Sequence, residues 1–217
     1  MIVKVRFEGK ASMSNKSAVM DHPIQPVLAE RWSPYGFDAR PVSAANLCSL
    51  FEAARWAASS YNEQPWNYLV ALKENPQEFE RLLGCLVPGN QSWAKAAPVL
   101  ALGVVRLRFA KDDSDNRAAV HDLGLAAGNL SIEASARGLF VHQMIGIVPE
   151  KARQTYNIPE HFEAWTALAI GYKADPAAMP EALRSRDELP RGRRPLDKFV
   201  FSGTWGHASS FVQKSGS

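Results

Sequence analysis

The chain has 217 residues, a length that fits one domain, alone or with extensions, and is enough to bury a real core. Hydrophobic residues make up 46% and charged residues 22%, the balance of an ordinary globular protein, and a net charge of +3 is too weak a bias to argue for a nucleic-acid partner. The two cysteines, Cys48 and Cys85, make no CxxC pair, so a secreted disulfide scaffold is not indicated and buried free thiols are expected.

Residues 1–20 are poorly patterned and read as an N-terminal extension to a single domain over 21–200. A short helix is expected over Gln25–Arg31, broken at Ser33-Pro34 because proline restricts the residue before it. Ser43 is a good N-cap, and Leu47, Leu50, Phe51, Ala54 and Ala58 then recur at helical spacing. Trp66–Leu72 reads as a strand. Asn75-Pro76 starts a helix that carries Phe79, Leu82, Leu83 and Leu86 on one face, with Pro88-Gly89 as its stop. The apolar run over 98–105 predicts a strand covered on both faces. A solvated loop, KDDSDN, precedes the longest helix, about Arg117–Arg137, whose small residues invite close approach of another helix and which ends at Gly138. LFVHQMIGI and EAWTALAIGY predict two more strands, with a short helix from Pro149 between them. The fold class expected is α+β, one central sheet flanked by helices. The Pro- and Arg-rich tail over 173–217 is too sparse for a core of its own and is expected to wrap onto a second subunit. No apolar run reaches the roughly 18 residues a membrane span needs. The N-terminus also has no apolar signal segment. A cytoplasmic protein with no membrane partner is expected.

The chain has no G-x-G-x-x-G after a strand, no P-loop, no H-E-x-x-H and no G-x-S-x-G, and its five histidines show no metal-ligand spacing, so no metal is expected. What remains suits a flat anionic ligand. Arg31 and Ser33 offer a guanidinium and a hydroxyl where a helix breaks, the pair that grips a phosphate, and Arg191, Arg193 and Arg194 offer more cations. Ser59, Ser60, Asn62 and Gln64 supply hydroxyls and amides for polyol oxygens and ring edges, beside Tyr61 and Trp66. Together these point to flavin mononucleotide (FMN). Taken singly they also read as a surface arginine, a helix cap, strand core and a solvated tail.

The order of these groups resembles the FMN-dependent nitroreductase family, from about Pro23 to about Lys198. Three blocks carry the resemblance: ERWSPYGFDARPVS, EAARWAASSYNEQPWNYLVA, and AAGNLSIEASARGLFVHQMIGI with GNQSWAKAAPVLAL before it. The resemblance implies a nitroreductase-like mixed or antiparallel sheet and a homodimer with exchanged C-terminal segments. It implies that Arg31 takes the phosphate, with Trp32 and Ser33 beside it. Ser59, Ser60, Asn62 and Gln64 would touch the ribityl chain and ring, some from the opposite subunit. Asn90 would bond the pyrimidine edge, and the backbone of Ile145 and Gly146 would face flavin N5. Arg191 or Arg193 would close over the phosphate. The chain departs from the family at Tyr35 and Ala58, has Lys95 as the base nearest Trp93, and has Ile145 before the N5-facing glycine.

The activity implied is an FMN-dependent NAD(P)H oxidoreductase. NADH or NADPH would pass hydride to flavin N5, and a nitroaromatic, quinone or similar acceptor would then replace it, a ping-pong scheme in which no side-chain nucleophile is needed. The alternatives are a flavin enzyme that acts on a biosynthetic intermediate without NAD(P)H, and a non-catalytic flavin-binding or storage dimer.

Overall fold

A computed structural model describes residues 16–212, so the expected extension lies outside the described residues as far as residue 15. The chain begins with α1 (Pro26–Glu30) and α2 (Ala44–Arg55), the latter capped as expected by Ser43, whose hydroxyl accepts Asn46 N–H at 3.2 Å. β1 (Trp66–Leu72), α3 (Pro76–Leu83), α4 (Pro88–Ala94) and β2 (Val99–Arg106) follow, then α5 (Ala119–Ala136), β3 (Phe140–Met144), α6 (Pro149–Tyr156), β4 (Phe162–Gly171) and α7 (Glu181–Glu188).

The four strands form one antiparallel sheet in the order β1-β2-β4-β3, so β1 and β3 are its two edges. β2 lies inside and is buried from Val99 to Val105, which is why its sequence is continuously apolar. The strand's alternation divides the core. Leu100, Leu102 and Val104 pack in the layer with Phe79, Leu82, Leu86 and Trp93, on the side of α3, α4 and α6. Val99 and Ala101 pack with Leu50, Ala54, Ala127 and Leu130 of α2 and α5. Ala126 and Ala127 let α2 come close to α5: Asn129 Nδ2 donates to the Ala53 carbonyl at 3.2 Å.

Three expectations need correction. Pro88 begins α4 instead of ending α3, because a proline at the first helical position loses no hydrogen bond. α3 closes at Leu83, and Leu86 lies in a bridge to Ile147. Cys48 is exposed on α2, although Cys85 is buried, because the apolar stripe of α2 turns Leu50 and Ala54 inward.

The tail has more structure than its composition suggests. Its first part lies on the chain's own body: Lys173 bridges Phe37, Ala174 N–H donates to the Gly36 carbonyl at 3.2 Å, and Met179 covers Gly36. Past residue 192 the tail carries exposed Phe199, Trp205 and Phe211.

Candidate functional site

Arg31 caps the C-terminal end of α1, and its Nη1 donates to Ser33 Oγ at 3.3 Å. The tail brings Arg186, Arg191 and Arg193 to the same place, where they line one pocket of about 210 Å³ with Arg31, Ser33 and Lys16. Arg191 Nη1 donates to the carbonyls of Ala29 and Lys16, both at 2.6 Å, which ties the tail to α1. Burial, and then the nearby charge of Arg193, hold the Arg31 guanidinium below its ordinary range. Burial, then Arg31 and Arg193, do the same to Arg191. Among the described residues the one carboxylate lining the pocket is Asp187, and it is occupied: Oδ1 accepts Tyr35 N–H at 2.8 Å and Oδ2 accepts Gly36 N–H at 3.2 Å. The pocket is therefore strongly positive and has the chemistry of an oxyanion site.

Trp32 is buried against this pocket, edge-on to Phe140 with ring centroids 5.9 Å apart, and its indole N–H has no partner among the described residues. His142 of β3 donates from Nδ1 to the Pro34 carbonyl at 2.8 Å and packs on Trp93 and Tyr35. Burial, the leading cause, holds the imidazole below its ordinary range.

Ser59, Ser60, Asn62 and Gln64 form a tight link between α2 and β1, with one 3-10 turn over Ser60–Asn62. Tyr61, Asn62 and Gln64 all have left-handed φ values, 53°, 57° and 50°. Such conformations cost non-glycine residues roughly 1–3 kcal/mol each, so something must hold them. Gln64 N–H donates to Ser59 Oγ at 3.0 Å, and Gln64 Nε2 lies 3.3 Å from Asn62 Oδ1. The buried Asp122 of α5 accepts Ser60 N–H at 2.9 Å.

Asn90, in α4, donates from Nδ2 to the Gly146 carbonyl at 3.0 Å. A Cβ at Gly146 would lie 2.4 Å from that nitrogen, so only glycine permits the approach. Gly146 N–H has no partner among the described residues, and the preceding Ile145 is 81% exposed.

The expected residues thus fall into three groups. Arg31, Trp32, Ser33, Arg191 and Arg193 meet beside edge strand β3, and Asn90 meets Ile145 and Gly146 just past its end. Ser59 to Gln64 lie before β1, at the other edge of the sheet. Three strand spacings separate the two edges, about 14 Å. One copy of the chain does not bring the amide link to its own arginine pocket. Asp122, Arg186, Asp187 and His142 were not expected. Asp122 lay hidden in the stripe of α5, and the polar run RSRDE signalled only a solvated segment.

The chain is similar to several known proteins. A solved structure described as an oxidoreductase containing FMN is 30% identical and superposes with a TM-score of 0.81, over 88% of this chain and 96% of that one. An uncharacterised 15.4 kDa protein of Mycolicibacterium smegmatis is 36% identical over 131 residues, 60% of this chain and 86% of that protein. The major NAD(P)H-flavin oxidoreductase of Aliivibrio fischeri is 33% identical over 98 residues, 44% of this chain and 45% of that protein. The Nitroreductase family model matches residues 28–172, the sheet and the helices on both its faces, and the chain belongs to that family.

Proposed function

We propose that the protein is an FMN-dependent NAD(P)H oxidoreductase that acts as a homodimer, reducing a nitroaromatic, quinone or similar acceptor. The observation that carries this reading is the convergence of Arg31, Ser33, Arg191 and Arg193 in one positive pocket, although about 160 residues of chain separate them. That donor set fits a phosphate monoester. The unpartnered N–H of Gly146 and the glycine-only approach of Asn90 fit the edge of a planar ring system. The hydroxyls and amides of Ser59, Ser60, Asn62 and Gln64 fit a polyol, and their place at the far sheet edge supports donation from a second copy. The oxidoreductase relatives and the FMN-containing neighbour favour the same ligand.

FMN, when bound, supplies hydride transfer between a nicotinamide donor and an acceptor. The protein's part is to bind and orient. Arg31 and Arg193 would neutralise the phosphate. Gly146 N–H would offer the ring a fixed dipole, already oriented and costing no reorganisation. Ile145, exposed beside it, offers an apolar surface to whatever stacks there. No side-chain base or nucleophile is required, and donor and acceptor would share one face in ping-pong order. Two free cysteines accord with a reducing, cytoplasmic location, and among the described residues no helix is long and apolar enough to cross a membrane.

The test is the visible spectrum of the purified protein before and after anaerobic NADPH, and then NADH. Flavin bands that bleach with either donor are expected. A bound flavin that neither donor bleaches would overturn the NAD(P)H reading. A protein that takes up no FMN would overturn the whole of it.

A further inference from the structure

The amide link before β1 holds three left-handed, non-glycine residues within four positions. Backbone of this kind persists only where its surroundings over-determine it. Its own internal bonds, Gln64 to Ser59 and to Asn62, close the turn but do not fix it to the body. Tyr61 packs edge-on against Phe109, ring centroids 5.8 Å apart, and two carboxylates fix the link's backbone and its far end. Asp122 stands on α5, among the buried Ala119, Leu123 and Ala126, and is itself only 2% exposed. Its Oδ2 accepts Ser60 N–H at 2.9 Å, and its Oδ1 lies 3.0 Å from His121 Nδ1. At the other end, Glu63 Oε1 accepts Ala110 N–H at 2.6 Å.

A buried carboxylate is costly to keep. Here it meets one backbone N–H of the link and one exposed histidine, and α5 does not need it for its own hydrogen bonds. We infer that Asp122 is a positioning residue of the ligand site: its carboxylate clamps Ser60, and through it holds the Asn62 and Gln64 amides in the one geometry that can reach a ligand across a subunit boundary. This deepens the proposed function and rests on it for the identity of the ligand, FMN. The clamp itself stands on the geometry alone. Asp122 does not touch the ligand; it acts through the link.

The test uses the full chain, wild type, with Asp122→Ala and Asp122→Asn. Asparagine keeps an oxygen for Ser60 N–H; alanine does not. Two readouts are taken: amide hydrogen exchange of the ligand-free protein, and FMN affinity from fluorescence quenching. For Asp122→Ala, exchange should rise at residues 60–64 while the interior of α5 stays protected. FMN affinity should fall about tenfold or more, the loss expected when a pre-organised contact must be re-ordered on binding. Asp122→Asn should restore both most of the way. Unchanged exchange at 60–64 in Asp122→Ala would overturn the clamp, and faster exchange with unchanged FMN affinity would overturn its role in positioning the ligand site. Loss of protection along all of α5 in both variants would show Asp122 to be a fold residue and also overturn the inference. If the wild type binds no FMN, the proposed function fails, while the exchange pattern at 60–64 still decides the clamp.

Discussion

Asp187 of α7 accepts the backbone N–H of Tyr35 at 2.8 Å, joining positions 152 residues apart, and its second oxygen takes Gly36 N–H at 3.2 Å. The neighbouring Arg186 donates to the Tyr35 hydroxyl and lies with its guanidinium 3.7 Å from the ring centroid. Through these contacts the tail becomes one wall of the arginine pocket. Substituting Asp187 by alanine leaves two backbone donors without their acceptor, at roughly 1–3 kcal/mol each. A fall in Tm of at least about 4 °C is expected, together with faster proteolysis in the segment after α7. Asparagine should fall between alanine and wild type. Unchanged Tm and proteolysis in Asp187→Ala would show that the tail is held by other means.

The mutual repulsion of Arg31, Arg191 and Arg193 predicts a response to anions. Inorganic phosphate should raise the Tm of the flavin-free protein, since a ligand that binds only the native state stabilises it by mass action. Arg31→Ala should remove most of that rise. It should also weaken FMN binding by roughly 10- to 100-fold, the loss of one charge-assisted phosphate contact. Retention of FMN with unchanged affinity would place the phosphate elsewhere.

Gly146 is a second point where geometry makes a sharp statement. A Cβ there would lie 2.4 Å from Asn90 Nδ2 and 2.9 Å from Val87 Cγ2. Gly146→Ala should therefore displace Asn90, cost roughly 1–3 kcal/mol of stability, and weaken FMN binding. Adding Asn90→Ala should recover part of the stability but not the binding. A double-mutant cycle reads that coupling; additive effects would show that the two residues do not press on each other.

His142 makes stability depend on pH. Its imidazole is held below the ordinary range chiefly by burial; the charges of Arg186 and Arg31 act in the same direction, against the Pro34 carbonyl and Asp187. The native state thus keeps His142 neutral where the unfolded chain, with a pKa near ~6.5, takes up a proton. Stability contributed this way is complete above about pH 6.5 and is lost as the pH falls from there toward the lower native value. Urea midpoints at about pH 7.5 and about pH 5.5 should differ more for the wild type than for His142→Gln. Equal differences would remove His142 from the account.

Much of the fold was legible because it is local. The N-cap at Ser43, the Asn75-Pro76 start of α3, the uninterrupted apolar run of β2 and the glycine after α5 each act within a turn or two of chain, so the residues announce themselves. The Arg31–Ser33 pair and the amide link were legible for a related reason: hydroxyls, amides and a guanidinium at breaks between elements have little to do in a core. The same local reading failed at Pro88, where one residue type serves both to stop and to start a helix, and at Cys48, where the direction of the stripe decides burial.

Tertiary structure alone decided which of these groups meet. The family resemblance implied that Arg191 or Arg193 would join Arg31, but nothing near Arg31 in the chain indicates them or Asp187; they arrive because α7 packs over Tyr35 and Gly36. Nothing near Ser60 indicates Asp122, which comes from the first turn of α5 once α2 and α5 share a face of the sheet. Strand order set the largest consequence. With β1 and β3 at opposite edges, the amide link and the arginine pocket of one chain stand apart. Local periodicity has a range of a few residues, whereas strand order follows from how the whole apolar surface is buried. The kinds of groups could therefore be read from the residues, and their meeting places only from the packed sheet.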